Sequence, residues 1–185
     1  WGVYDVQECS NDGAVVYSVS NDAGESWSEP VLFMKAPNAV ISHASLLEVE
    51  GSDRVIMAYT EGHYVGARED PRFKRVTKWA DYGSTTLRVF LRESTDSGVS
   101  WGAPREIDPA LIVGRDAPPF YGAPYQLLQL AGGAILLSVP YLHPDRRNPQ
   151  HFHVAVLRSI DRGATWQKIH DFTVPEQRGA MEPCM

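Results

Sequence analysis

Cysteine is scarce in this 185-residue chain: Cys9 and Cys184 are the only two. A disulfide-dense scaffold and a clustered thiol metal site are therefore both excluded. The pair either bridges or fills space as two small apolar side chains. No apolar run approaches the length of about 18 residues that a membrane-spanning helix needs, so none is expected. Basic charge is also short, with 17 Lys+Arg against 23 Asp+Glu and a net charge of −6. That balance lacks the basic excess on which nucleic-acid binding draws, and the basic run from Arg72 to Lys78 is too isolated to reverse it. Neither glycine-rich phosphate-binding pattern occurs, so no nucleotide or other cofactor is implied. His151 and His153 lie at strand spacing, which fits either two ligands on one face or a polar strand edge. No segment sustains a helical period. What is present is 43% hydrophobic residues, 10% aromatics, 13 Pro and 15 Gly. Such a chain has the material for a core and punctuation for many short strands.

Self-comparison organises these strands. Three octets share the form S-x-D-x-G-x-S/T-W: Ser20 to Trp27, Ser94 to Trp101, and Ser159 to Trp166. Their aspartates, Asp22, Asp96 and Asp161, recur at two similar intervals. Each octet reads as a tight turn, with Asp accepting from turn amides, Gly supplying positive φ, hydroxyls closing the ends and Trp packing beneath. Asp22, Asp96 and Asp161 are thus scaffold residues. Apolar segments flank the octets in a repeated order: His43 to Glu50 and Tyr125 to Leu130, then Arg54 to Thr60 and Ala134 to Pro140. Alternating segments follow at Thr85 to Glu93 and Phe152 to Arg158, and short strands at Pro104 to Ile107 and Gln167 to Phe172. Four antiparallel strands in each repeat predict an all-β fold of β-propeller blades.

Strand parity then sorts the connections. First-to-second and third-to-fourth turns share one end of a blade, which takes the octets. Longer connections share the other end: 61–84, 141–151, 108–124 and 173–181. Long loops on a rigid scaffold are where sites are built. The candidates there are Arg68, Asp70, Tyr121, Arg146 and Arg147, since arginines bind carboxylates in bidentate fashion and aromatics stack on sugars.

The octet matches the Asp box, and the chain resembles the sialidase (neuraminidase) superfamily of six-bladed β-propellers with Asp-box (BNR) repeats. The run Gly179 to Met185 is similar to the beginning of a sialidase segment whose opening Glu partners a nucleophilic Tyr. Glu182 takes that Glu's position, with Met181 where the family has Asn and Pro183 following. The resemblance implies an exo-glycoside hydrolase acting on terminal sugars of glycans, with sialic acid the first substrate to consider. A Tyr nucleophile suits an anomeric centre bearing a carboxylate, because a neutral phenol activated by Glu avoids charge repulsion. The Tyr, the acid/base Asp and the Arg triad would lie outside this chain, and Ile41 to Ala44 carry no Arg.

On this basis the chain is expected to be a fragment of about two and a half blades. Its parts are 1–37 (the end of one blade), 38–108 (a second), 109–173 (a third) and 174–185 (the start of the next). Open blade edges would favour self-association. The resemblance also implies an extracellular or periplasmic setting and a glycan as partner. The alternative is a non-catalytic Asp-box propeller that binds glycans or proteins without turnover.

Overall fold

A computed structural model describes residues 13–37, 39–63, 86–114, 122–142, 151–174 and 183, together with the backbone of residues 2 and 3. Eleven strands and one short helix are formed by these residues. β1 (Gly2–Val3), β2 (Ala14–Tyr17) and β3 (Val31–Lys35) make a three-stranded sheet. β4 (Val40–Glu48), β5 (Val55–Gly62), β6 (Arg88–Ser94) and β7 (Arg105–Glu106) make a four-stranded sheet in sequential order. After α1 (Pro109–Val113), the strands β8 (Gln126–Gln129), β9 (Ile135–Leu142), β10 (Phe152–Ser159) and β11 (Gln167–Phe172) repeat that order. Every pairing is antiparallel.

The sheets stack face to face, and alternation within β5 shows how. Ile56 and Ala58 join the cluster shared with Leu137, Val139, Ala155 and Leu157 of the following sheet. Met57 and Tyr59 join Val15 and Met34 of the preceding one. A strand sandwiched on both faces is expected to be apolar at consecutive positions, and residues 56 to 60 are all buried. The near edges of the two four-stranded sheets are β4 and β8, tied by Leu127 N donating to Ser45 Oγ (3.0 Å) and Glu50 N to Gln129 Oε1 (2.8 Å). Sheets of four sequential antiparallel strands, stacked so that their first strands meet, are blades of a partial β-propeller.

The octets are the β2–β3, β6–β7 and β10–β11 turns, and all three have one geometry. In the second, Ser94 Oγ donates to Asp96 Oδ1 (2.7 Å) and accepts from Gly98 N (2.8 Å). Asp96 in turn accepts from Ser100 N (2.8 Å), and Trp101 Nε1 donates to the Gly98 carbonyl (3.1 Å). Ser97 N donates to the Asp53 carbonyl (2.8 Å), which puts the octet at the same end as the β4–β5 turn, as strand parity requires.

Two features depart from the sequence reading. The connection after β7 holds a single helical turn, capped by Asp108 Oδ1 accepting from Ala110 N (2.9 Å) with Pro109 at the first helical positions. So short a helix cannot register as a period. The second is in β4, which begins at Val40 rather than His43 and contains a bulge. Ser42 pairs with Thr60 and Ser45 with Ala58, so His43 and Ala44 together oppose Tyr59. The extra residue shifts the alternation by one, which hides the first half of the strand from a period-2 pattern.

Candidate functional site

The octet end of the blades is closed by short turns. At the opposite end lie His63 and Thr86 of the second blade and Leu142 and His151 of the third. Thr86 N donates to the His63 carbonyl (3.0 Å), and Phe152 pairs with Leu142, so the ends of these strands meet at this edge. Arg68, Asp70, Tyr121, Arg146, Arg147 and Glu182 all lie outside the described residues, as do Cys9 and Cys184.

Among the described residues, polar and aromatic groups gather at this end in two places. The first is the inner mouth, where β4 and β8 begin. Ser42 Oγ lies 2.8 Å from His43 Nδ1, and the His43 ring sits 5.5 Å from the Tyr125 ring at a tilt of 41°. His43 has φ of 52°, the left-handed region that a bulge of this type ordinarily gives to glycine. Thr60 Oγ1, paired across from Ser42, donates to the Gly122 carbonyl (3.1 Å), and Gly122 bridges to Tyr141. The mouth is thus knitted from two blades and the crossing between them.

The second place is further out, between the second and third blades. Tyr141, buried at 2% exposure, donates its phenol to Asp171 Oδ2 (2.6 Å). Lys168 Nζ donates to the same oxygen (2.8 Å) and to the Ile112 carbonyl at the end of α1 (2.8 Å). His153 Nδ1 lies 3.3 Å from Asp171 Oδ1. Lys168 and Asp171 are three residues apart in a strand and should face opposite ways. The β10–β11 register slips between Val156 and Leu157, so Ile169 is bulged and both side chains share a face. Burial opposes ionisation of Asp171, but Lys168, Tyr141 and His153 prevail and hold its carboxyl below the usual range. The same burial, together with Asp171, pushes the Tyr141 phenol well up, so it remains a donor. Such a carboxylate is already engaged on several sides, and the cluster reads as a brace for α1 rather than a reactive centre.

His151 and His153 do stand together, with rings 5.4 Å apart. His151 Nε2 meets the Val174 carbonyl at 2.8 Å, and no group of three or more His, Cys, Asp or Glu suited to a metal forms among the described residues. Nor is any described helix long and apolar enough to cross a membrane.

Sequence reasoning missed the His43–Tyr125 pairing. Its one signal is the broken alternation at Ile41-Ser42-His43-Ala44, a stretch whose more obvious feature is that it carries no Arg.

No family model and no curated protein matches the sequence. Solved structures do match. A Dyadobacter fermentans protein of unknown function superposes with a TM-score of 0.63 at 22% identity, over 92% of this chain and 47% of that one. A Penicillium chrysogenum α-L-arabinanase in complex with arabinobiose gives 0.56 at 16% identity, over 90% and 43%. A Streptococcus pneumoniae sialidase gives 0.57 at 16% identity, over 90% and 40%. This chain therefore spans less than half the length of each. At these identities the likeness establishes the fold, which is shared with β-propeller glycoside hydrolases.

Proposed function

We propose that this chain is part of a sialidase-like exo-glycoside hydrolase, with its octets as Asp boxes, that receives the terminal sugar of a glycan at the inner mouth of the blades. The observation carrying this reading is the difference between the two blade ends. One end is shut by short turns, and the other brings Ser42, His43 and Tyr125 together where two inner strands begin. Imidazole and phenol groups are the kind that hydrogen-bond and stack on sugars, and the buried Ser42 hydroxyl holds the imidazole in place. The structural neighbours include sialidases and an arabinanase crystallised with arabinobiose, which agrees with a sugar as ligand.

In this reading, residues 38–108 and 109–173 are two whole blades, 1–37 ends another, and 174–185 begins the next. Leu46 at 60% and Leu32 at 60% exposure are the apolar faces that further strands would cover. Glu182 takes the proton of a Tyr supplied by a later blade, and that phenolic oxygen attacks the anomeric carbon as the glycosidic bond breaks. The departing oxygen takes a proton from an acid/base Asp outside this chain, and water then releases the sugar from the Tyr. Arg68, Asp70, Tyr121, Arg146 and Arg147 contact the sugar in this reading. Sialic acid is the first substrate to try.

The test uses the complete protein that contains this chain, with fluorogenic α-sialosides and α-L-arabinofuranosides as probes. Glu182→Gln is expected to lower kcat at least about 100-fold on the accepted probe. Equal turnover by both proteins removes Glu182 from the mechanism. Binding of a sialoside or arabinoside without any turnover replaces the hydrolase with a glycan-binding module.

A further inference from the structure

We propose that His43 is a substrate-contacting residue, aimed into the inner mouth by a backbone strain that the fold retains for that purpose. The inference rests on the functional reading above and gives that mouth a specific residue. Four non-glycine residues hold positive φ among the described residues. Ala23, Ser97 and Arg162 occupy the same octet position, where the turn itself demands the conformation. His43 stands apart, inside a strand, as the first of two residues opposing Tyr59.

A bulge whose first residue is left-handed takes glycine by default, because Cβ crowds the carbonyl oxygen there. A bulky residue at such a position lowers stability unless its side chain does something glycine could not. What His43 adds is an imidazole whose Nδ1 is held 2.8 Å from Ser42 Oγ, and whose ring is set 5.5 Å from Tyr125. Ser42 is fully buried, so the hydroxyl that orients the ring is itself fixed in place. The ring is also half-buried between blades rather than spread over solvent. A buried orienting partner, a fixed ring plane and an aromatic neighbour make a preorganised hydrogen-bonding group for a sugar hydroxyl or carboxylate, with Tyr125 beside it as a stacking surface.

A purely structural role and a functional one separate cleanly in substitutions at this position. His43→Gly removes the ring and the strain together, whereas His43→Ala removes the ring and keeps the strain. In the complete protein, His43→Gly is therefore expected to melt about 2–4 °C above His43→Ala, the reverse of the usual Gly–Ala order. Both are expected to lose at least about tenfold in kcat/KM on whichever fluorogenic sialoside or arabinofuranoside the wild type cleaves. His43→Asn tolerates the left-handed backbone and keeps a polar group near Ser42, and should retain more activity than either. If His43→Gly and His43→Ala both melt well below wild type while kcat/KM is unchanged, His43 is a structural residue and the inference fails with the functional reading intact. If the wild type neither cleaves nor binds either probe, the functional reading fails and the substrate role goes with it. A His43→Ala that melts above His43→Gly overturns the strain argument directly.

Discussion

Ala23, Ser97 and Arg162 hold φ of 56° to 58°, and each is followed by a glycine at 89° to 94°. That pair recurs in three turns with the same hydrogen bonds, so its conformation is dictated by the octet itself. His43 reaches a similar φ of 52° with no repeat to explain it, at the other end of the blades. Surroundings differ as well. Trp27 is 63% exposed, Trp101 lies edge-on to Phe33 of the preceding blade (5.4 Å), and Trp166 packs on the interblade core. The turn end is thus one local solution written three times, onto which packing is added where a neighbouring sheet lies against the turn. The mouth end is built from non-repeating contacts.

Glycines of the octet give the largest expected effects. A Cβ on Gly163 would come within 2.7 Å of Ile56 Cδ1 in the neighbouring blade, whereas on Gly24 or Gly98 it would meet only the octet's own Trp at 3.9 Å. Gly163→Ala is therefore expected to lower unfolding free energy by about 2–3 kcal/mol, combining backbone strain with overpacking. Gly98→Ala should lose only the strain component, about 1–2 kcal/mol. Urea unfolding measures both, and adding Ile56→Val, which removes the offending methyl, should recover part of the Gly163→Ala loss but none of the Gly98→Ala loss. Equal losses for the two glycines would show that the blades do not press on the turn.

A smaller effect sharpens the contrast between turn and mouth. Arg162→Gly is the turn's counterpart of His43→Gly: it relieves a left-handed residue, and Arg162 is exposed. Stability should change by no more than about 1 kcal/mol, since strain relief is offset by the freer unfolded chain. Turnover or glycan binding by the complete protein should be unchanged within about twofold. A large activity loss in Arg162→Gly would mean that the octets take part in function.

The turn end was the legible part. Ser, Asp, Gly and Trp at fixed offsets encode their own hydrogen bonds, so three copies were enough to set the strand order and the end to which each connection belongs. α1 was missed because Asp108-Pro109 starts a helix that is already over at Gly114. The mouth was illegible for a different reason. His43 meets Tyr125 across two blades and far apart in sequence, through a bulge that shifts strand alternation. Lys168 and Asp171 hid in the same way, since only the slip at Val156/Leu157 turns them to one face. Bulges erase the period-2 signal where they aim a side chain, so the residues they aim are the hardest to read.

The smallest expected effect concerns acid. Asp22, Asp96 and Asp161 are lowered to about 2, chiefly by the hydroxyls of Ser26, Ser100 and Thr165 and then by the backbone N–H of those same residues. A carboxyl depressed on folding contributes stability that is complete above its unfolded value near 4 and is lost as pH falls toward 2. Asp96→Asn should therefore differ from wild type most at pH 7 and progressively less between pH 4 and pH 2. The donors on these turns are neutral, so the difference at pH 7 should persist in concentrated salt. Asp171 is depressed too, but in part by the Lys168 ammonium, which lies 2.8 Å away and only half-buried. The share that Lys168 adds should shrink in salt. Acid unfolding followed by tryptophan fluorescence at low and high salt separates the two kinds of aspartate. If Asp96→Asn and Asp171→Asn respond to salt alike, neutral turn donors are not what holds the octet carboxylates ionised.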